Sequence, residues 1–249
     1  DLVEFYQEKN GDLRKIMFTL AGICVILRLQ EVVRGMKDIV FRRKIYDEIL
    51  EWKEKYSHKY ALLIKGARRV GKSTIAEEFA KKEFKSYILI DFAHTSKEII
   101  ELFDDTYNLD FFFLQLQQLT GIRLYENESV IIFDEVQLLP KARQAIKYLV
   151  ADGRYKYIET GSLLSIKKNT QDILIPSEER KISMYPMDFE EFLWAIGDEV
   201  SAETIRYLIK NKKAAGNAMH RNLMRTFRLY MLVGGMPQSI ETYIEKNNL

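Results

Sequence analysis

Eight residues near the first quarter of the chain, Gly66-Ala67-Arg68-Arg69-Val70-Gly71-Lys72-Ser73, have the spacing G-x-x-x-x-G-K-[ST]. Such a segment can hold a polyphosphate. Its glycines let the backbone curl so that several N–H groups face one anion, and the helix that follows points its positive end at the same place. The lysine, Lys72, would reach the outer phosphates, and the Ser73 hydroxyl would ligate magnesium. With Thr74 closing the run, Gly66 to Thr74 is the candidate nucleotide-binding segment; within it, Arg68 and Arg69 read as facing outward. A second constellation lies downstream, where the apolar run Val130-Ile131-Ile132-Phe133 ends in Asp134 and Glu135. Acids at the tip of a buried strand are costly without a task. Asp134 would hold the magnesium, directly or through water, and Glu135 would orient and polarise an attacking water. Further on, Thr160-Gly161-Ser162 ends another apolar run. A small hydroxyl there either bonds the attacking water or terminal phosphate, or caps a helix; Thr160, closer to the strand, is the better placed. Gln137 reads either as a solvated loop residue or as one facing the nucleotide.

These residues need elements to carry them. The phosphate loop stands between an apolar run, Tyr60 to Lys65, and a helical pattern reaching about Lys82, which is the context the motif requires. Further strands are expected at Ser86–Asp91, Ser129–Asp134, Tyr155–Thr160 and Arg180–Tyr185. The central ones are continuous apolar runs, which favours a parallel sheet covered on both faces. Helices are expected at Ile45–Tyr56, from a capping box at Thr95 to Glu98 onward, at Asp110–Leu119, and from Pro140 to about Ala151. The reading is an α/β, doubly wound P-loop NTPase core with its ligand at the carboxyl ends of the strands. After Pro186 only helices are expected: Phe189–Ile196, Ala202–Lys212, Met219–Leu232 and Pro237–Lys246.

Three domains are therefore expected: an extension over 1–38, a P-loop core over 39–196, and the start of a helical second domain over 197–249, truncated, so that the chain reads as a piece of something longer. The 249 residues carry 38 basic and 36 acidic side chains, net +2, which gives no strong pull toward nucleic acid or membrane. Locally, Lys210, Lys212, Lys213, Arg221, Arg225 and Arg228 make a basic stretch, either a solvated helix face or a contact for DNA. The run Ile16–Leu27 is short of the ~20 residues that span a bilayer, so no stable membrane insertion is expected. The single Cys24 excludes an internal disulfide and fits a reducing cytoplasm.

Five ordered segments carry a resemblance: the phosphate loop through Thr74, Phe133 to Gln137, Thr160 to Ser162, Tyr185-Pro186-Met187-Asp188-Phe189-Glu190-Glu191-Phe192-Leu193, and Tyr230-Met231-Leu232-Val233-Gly234-Gly235-Met236-Pro237. Together, over about Phe41 to Ile244, the chain resembles prokaryotic AAA-type ATPases of the archaeal-ATPase-like group. The resemblance implies an additional-strand sheet, with the strand of Thr160 between those of Lys65 and Asp134, and ATP with magnesium as ligands. It also implies a basic residue at Arg180, acting within the chain, on a neighbour's nucleotide in a homo-oligomer, or standing as plain surface. Residues 1–38 match nothing in the group. The expected activity is magnesium-dependent ATP hydrolysis; the alternative is a nucleotide-gated regulator that binds DNA or a partner protein and hydrolyses slowly.

Overall fold

The strand Ser129–Asp134 is buried at every position, as a central strand covered on both faces must be. In the computed structural model, which describes residues 40–104, 106–162 and 177–246, it is β3 of a five-stranded sheet. The others are β1 (Ala61–Gly66), β2 (Ser86–Asp91), β4 (Lys156–Ser162) and β5 (Glu179–Met184). All neighbours pair in parallel, in the order β2-β3-β4-β1-β5. The strand of Thr160 thus lies between those of Lys65 and Asp134, as the resemblance implies. The expectations for residues 1–38, including Ile16–Leu27 and Cys24, lie outside the described residues.

Helices α1 (Ile45–Lys55) and α2 (Lys72–Glu83) cover one face of the sheet; α3 (Lys97–Glu101), α4 (Leu109–Thr120) and α5 (Pro140–Asp152) cover the other. Side-chain alternation along β1 feeds both layers: Leu62 and Ile64 join Ile49, Trp52, Ile75 and Phe79, while Ala61 and Leu63 join Phe113, Ile131, Ile146 and Tyr157. Each buried Leu, Ile or Phe among them stabilises the fold by about 1.5–3 kcal/mol. The phenylalanine-rich α4 is explained here. Phe112 and Phe113 meet Phe103 and Tyr155 edge-on, at centroid distances of 5.4 and 4.8 Å, whereas Phe111 stays exposed.

Two local expectations are corrected. The capping box at Thr95 does not form: α3 starts at Lys97 with Ser96 at its N-cap and no side-chain cap bond. A capping box forms instead at α6 (Phe189–Ala195), where Asp188 accepts from the Glu191 amide and Glu191 accepts from the Asp188 amide. Second, β4 runs on to Ser162, paired with Gly66, two residues beyond the expected end at Thr160, so Thr160 lies within the strand. Helices α6, α7 (Glu199–Lys210), α8 (Asn217–Val233) and α9 (Pro237–Lys246) follow β5, as expected. Met187, Phe192 and Ile240 form the core that α6, α8 and α9 share.

One core residue has no place in the pattern of apolar strands. Glu159 is fully buried in β4, and among the described residues neither carboxylate oxygen has a hydrogen-bond partner. Nearby, Arg143 makes a bidentate pair with the buried Glu179, at 3.0 Å for each bond. Burial pushes the Glu159 carboxyl well above its ordinary range; the Glu179 charge adds to this, and Arg143 opposes it. A raised carboxyl favours the folded chain below the unfolded-state value and costs stability progressively as pH rises toward the folded-state value. Glu159→Met should therefore raise the thermal unfolding midpoint at pH 8, with the gain shrinking at pH 5. A midpoint lower than the parent's at both pH values would mean that the carboxyl has a partner worth more than its burial costs.

Candidate nucleotide site

The register of the sheet decides which groups meet. Gly66 at the end of β1 lies level with Ser162 on β4 and Met184 on β5, and Ile64 lies level with Thr160. The carboxyl ends of β1, β3 and β4 therefore share one edge. At Gly66 no side chain can stand, because a Cβ would run into the Met184 carbonyl. Gly71 adopts φ 94°, the left-handed region that favours glycine, and is the N-cap of α2. Ala67, Arg68 and Arg69 between them are exposed, as is Thr74, while Val70 is buried. The loop thus presents backbone, with its two arginines outward as expected.

Lys72 is only 4% exposed; its Nζ donates to the Ala67 carbonyl at 2.9 Å and to that of Gly66 at 3.4 Å. Burial lowers its pKa, against the pull of the Glu135 and Asp134 carboxylates. The Ser73 hydroxyl, one residue on, donates to Asp134 Oδ1 at 2.7 Å. Thr160 Oγ1 donates to the same oxygen and accepts from the Glu135 amide at 3.3 Å. Glu135 itself sits at φ 53°, a left-handed conformation that costs a non-glycine residue roughly 1–2 kcal/mol. The structure thus brings Lys72, Ser73, Asp134, Glu135 and Thr160 into one cluster.

Arg180 is not in it. It stands near the amino end of β5, level with Leu62, and its guanidinium stacks 3.8 Å over the Tyr56 ring. Met184, which faces Gly66, is four residues further along, about 13 Å at strand rise. This corrects the expectation that Arg180 reaches the nucleotide of its own chain.

Two residues outside the set of candidate site residues are present instead. Gln137, read either as a solvated loop residue or as one facing the nucleotide, is buried and donates through Nε2 to Glu135 Oε2. Its signal was the short spacing from Glu135, which a tight 3-10 turn over Val136–Leu138 makes a contact. Arg43, for which no sequence signal existed, is 7% exposed and lies beneath the loop. Its Nη1 donates to the Val70 carbonyl at 2.8 Å, its Nη2 to that of Tyr185 at 2.7 Å, and its Nε lies 3.2 Å from Glu191 Oε1. One guanidinium thus joins the phosphate loop, the end of β5 and the cap of α6. Breaking such a buried pair typically costs about 3–5 kcal/mol, because the remaining charge is stranded. Arg43→Ala should lose about that much in urea unfolding and should loosen the loop. Arg43→Lys should not restore it, since one ammonium cannot span both carbonyls; full recovery with lysine would show that only charge matters there. A cavity of about 380 Å³ adjoins Arg43, with walls from Phe41, Tyr46 and Trp194 and from the charged Asp47, Glu78 and Lys82.

The AAA domain family matches residues 58–193, more than half of the chain and the whole cluster apart from Arg43. The chain belongs to that family. This AAA-domain chain is accordingly an ATPase-type, nucleotide-binding P-loop protein, in keeping with its parallel sheet. It is 23% identical over 214 residues to an uncharacterized protein of Methanocaldococcus jannaschii, a match that takes in 80% of this chain and 43% of that protein, so the chain spans less than half of its relative's length. Among solved structures it is similar to the Aeropyrum pernix ORC1 protein, solved in complex with DNA (13% identity, TM-score 0.43, 66% of this chain and 50% of that one). It is also similar to C. elegans PCH-2 (12% identity, TM-score 0.43, 85% and 64%). No helix among the described residues of the AAA-domain chain is long and apolar enough to cross a membrane.

Proposed function

We propose that the chain binds ATP with magnesium and hydrolyses its terminal phosphate, through a core over residues 39–196 that leads into a helical second domain from 197. The observation that carries this reading is the convergence of Ser73 and Asp134, 2.7 Å apart, beside Glu135. Magnesium keeps several waters and takes only one or two protein oxygens together with the substrate phosphates, and a serine hydroxyl next to a carboxylate suits that demand. Ser73 and Asp134 would hold the ion, which when bound would neutralise charge on the phosphate oxygens. The amides of Gly66 to Thr74 would bind the phosphates, and Lys72 would turn from the Ala67 carbonyl toward them. The cavity beside Arg43, whose walls mix aromatic with charged side chains, has room for a nucleoside.

Glu135 would take the proton of the attacking water, and Thr160, fixed by Asp134 and the Glu135 amide, would orient it. Gln137 donates to the Glu135 carboxylate and so competes with that water for the base. This contact favours a second reading of the same site, in which turnover is slow and serves as a timer for a DNA- or protein-binding regulator. Phosphate release from ATP, followed with magnesium and with excess chelator, tests the proposal. Release that proceeds equally in chelator, or that Asp134→Asn leaves unchanged, would overturn it.

A further inference from the structure

Several exposed cations in this fold are neutralised by a neighbouring acid. On α1 and α2, Lys55, Lys81 and Lys82 each pair with a glutamate one turn earlier, and Arg206 on α7 pairs with Glu190. Among the described residues, helix α8 shows no such pairing. It has no acidic residue from Asn217 to Val233, yet it carries Arg221, Arg225 and Arg228, all exposed. The spacing i, i+4, i+7 puts the three on one face. That face is opposite Tyr230, which packs inward with Phe227 against Phe189 and Phe192. The approach to α8 adds exposed Lys210, Lys212 and Lys213. Among the described residues none of these six side chains pairs with a carboxylate; Lys213 instead donates to the Tyr207 hydroxyl at 3.3 Å.

We infer that this ridge is a docking surface for the phosphate backbone of double-stranded DNA, without sequence preference. Its charge is complementary to a polyanion, and Arg221 to Arg228 cover about 10 Å of helix axis, roughly three phosphate steps of one strand. A lipid surface fits less well, because an interfacial helix buries an apolar face in the bilayer and the face of α8 opposite its arginines is already packed on the chain's own core. Single strands are held largely by stacking on successive aromatic rings; Phe227 and Tyr230 of α8 are engaged with Phe189 and Phe192, which leaves the exposed Tyr207 beside Lys213 as a single ring for such stacking. Duplex phosphate remains the ligand that asks only for what the ridge offers.

Fluorescence anisotropy of a labelled 20-base-pair duplex, titrated with the full chain across a salt series, is the test. Each phosphate contact contributes about 0.9 to the slope of log affinity against log salt. The triple change Arg221→Gln, Arg225→Gln and Arg228→Gln should reduce that slope by about 2.7 and weaken binding at low salt at least tenfold, with nucleotide affinity unchanged. Triple replacement by lysine should keep most of the slope, and this second variant, together with the slope of the parent, keeps the idea testable if the glutamine chain folds poorly. No duplex binding by the parent at low salt, a slope that the glutamine variant leaves intact, or capture by anionic phosphatidylserine vesicles in place of DNA would each overturn it.

Discussion

Lys72→Met is expected to abolish measurable nucleotide binding, lowering affinity at least a hundredfold in a titration with a fluorescent ATP analogue. Hydrogen bonds to charged partners are worth about 1.5–3 kcal/mol each, and two lost from the outer phosphates amount to two or more powers of ten. The same variant should be more stable than the parent without nucleotide. Burial holds the Lys72 pKa below its ordinary value despite the pull of the Glu135 and Asp134 carboxylates, so near neutral pH the folded chain carries an ammonium it disfavours, hydrogen-bonded to the Gly66 and Ala67 carbonyls. A base lowered in this way contributes least to stability in the range where it must be charged. Methionine keeps the stem and removes the charge. Loss of binding together with a raised unfolding midpoint would separate a missing ligand contact from a damaged fold. Binding within a few-fold of the parent would end the phosphate-loop reading.

Glu135→Gln should leave binding intact and lower turnover by about a hundredfold to ten-thousandfold, the range that general base catalysis contributes. An amide matches the carboxylate in shape but accepts no proton near neutral pH. Position is retained because the Glu135 amide still meets Thr160 Oγ1, and Asp134 still holds Ser73 and Thr160. The nucleotide dissociation constant and single-turnover phosphate release, measured on one preparation, check both halves. Turnover equal to the parent's would leave Glu135 without a role and would remove the catalytic half of the proposal. Loss of binding with loss of turnover would place Glu135 among the residues that hold the loop.

The phosphate loop was legible because its chemistry is local. Glycines, lysine and serine act through backbone and side chains within one turn of each other, so their spacing carries the geometry. The strands around it were legible for a related reason: a parallel strand buried on both faces must be apolar throughout, and Val130 to Phe133 could be little else. Asp134 and Glu135 could be read from an acid pair at the end of such a run. Their meeting with Ser73 and Thr160 was not contained in either segment. It follows from β4 lying between β1 and β3, and strand order depends on how whole layers pack.

Long-range partners were beyond the reach of pattern. Arg43 is one basic residue in a basic run, and only the fold lays the end of β5, the cap of α6 and the Val70 carbonyl around it. For Arg180 the fold removes one of three readings, action on the nucleotide of its own chain. Its chemistry suited phosphate, but the register of β5 sets it level with Leu62, at the far end of the sheet from the loop. By itself, then, the sequence determined the phosphate loop, the kinds of element around it and the acid pair at the strand tip, since each rests on periodicity or on contacts within a few residues. The tertiary structure alone decided which of these groups share an edge and which arginine stands beneath the loop, because strand order and register are settled by burying both faces of the sheet at once.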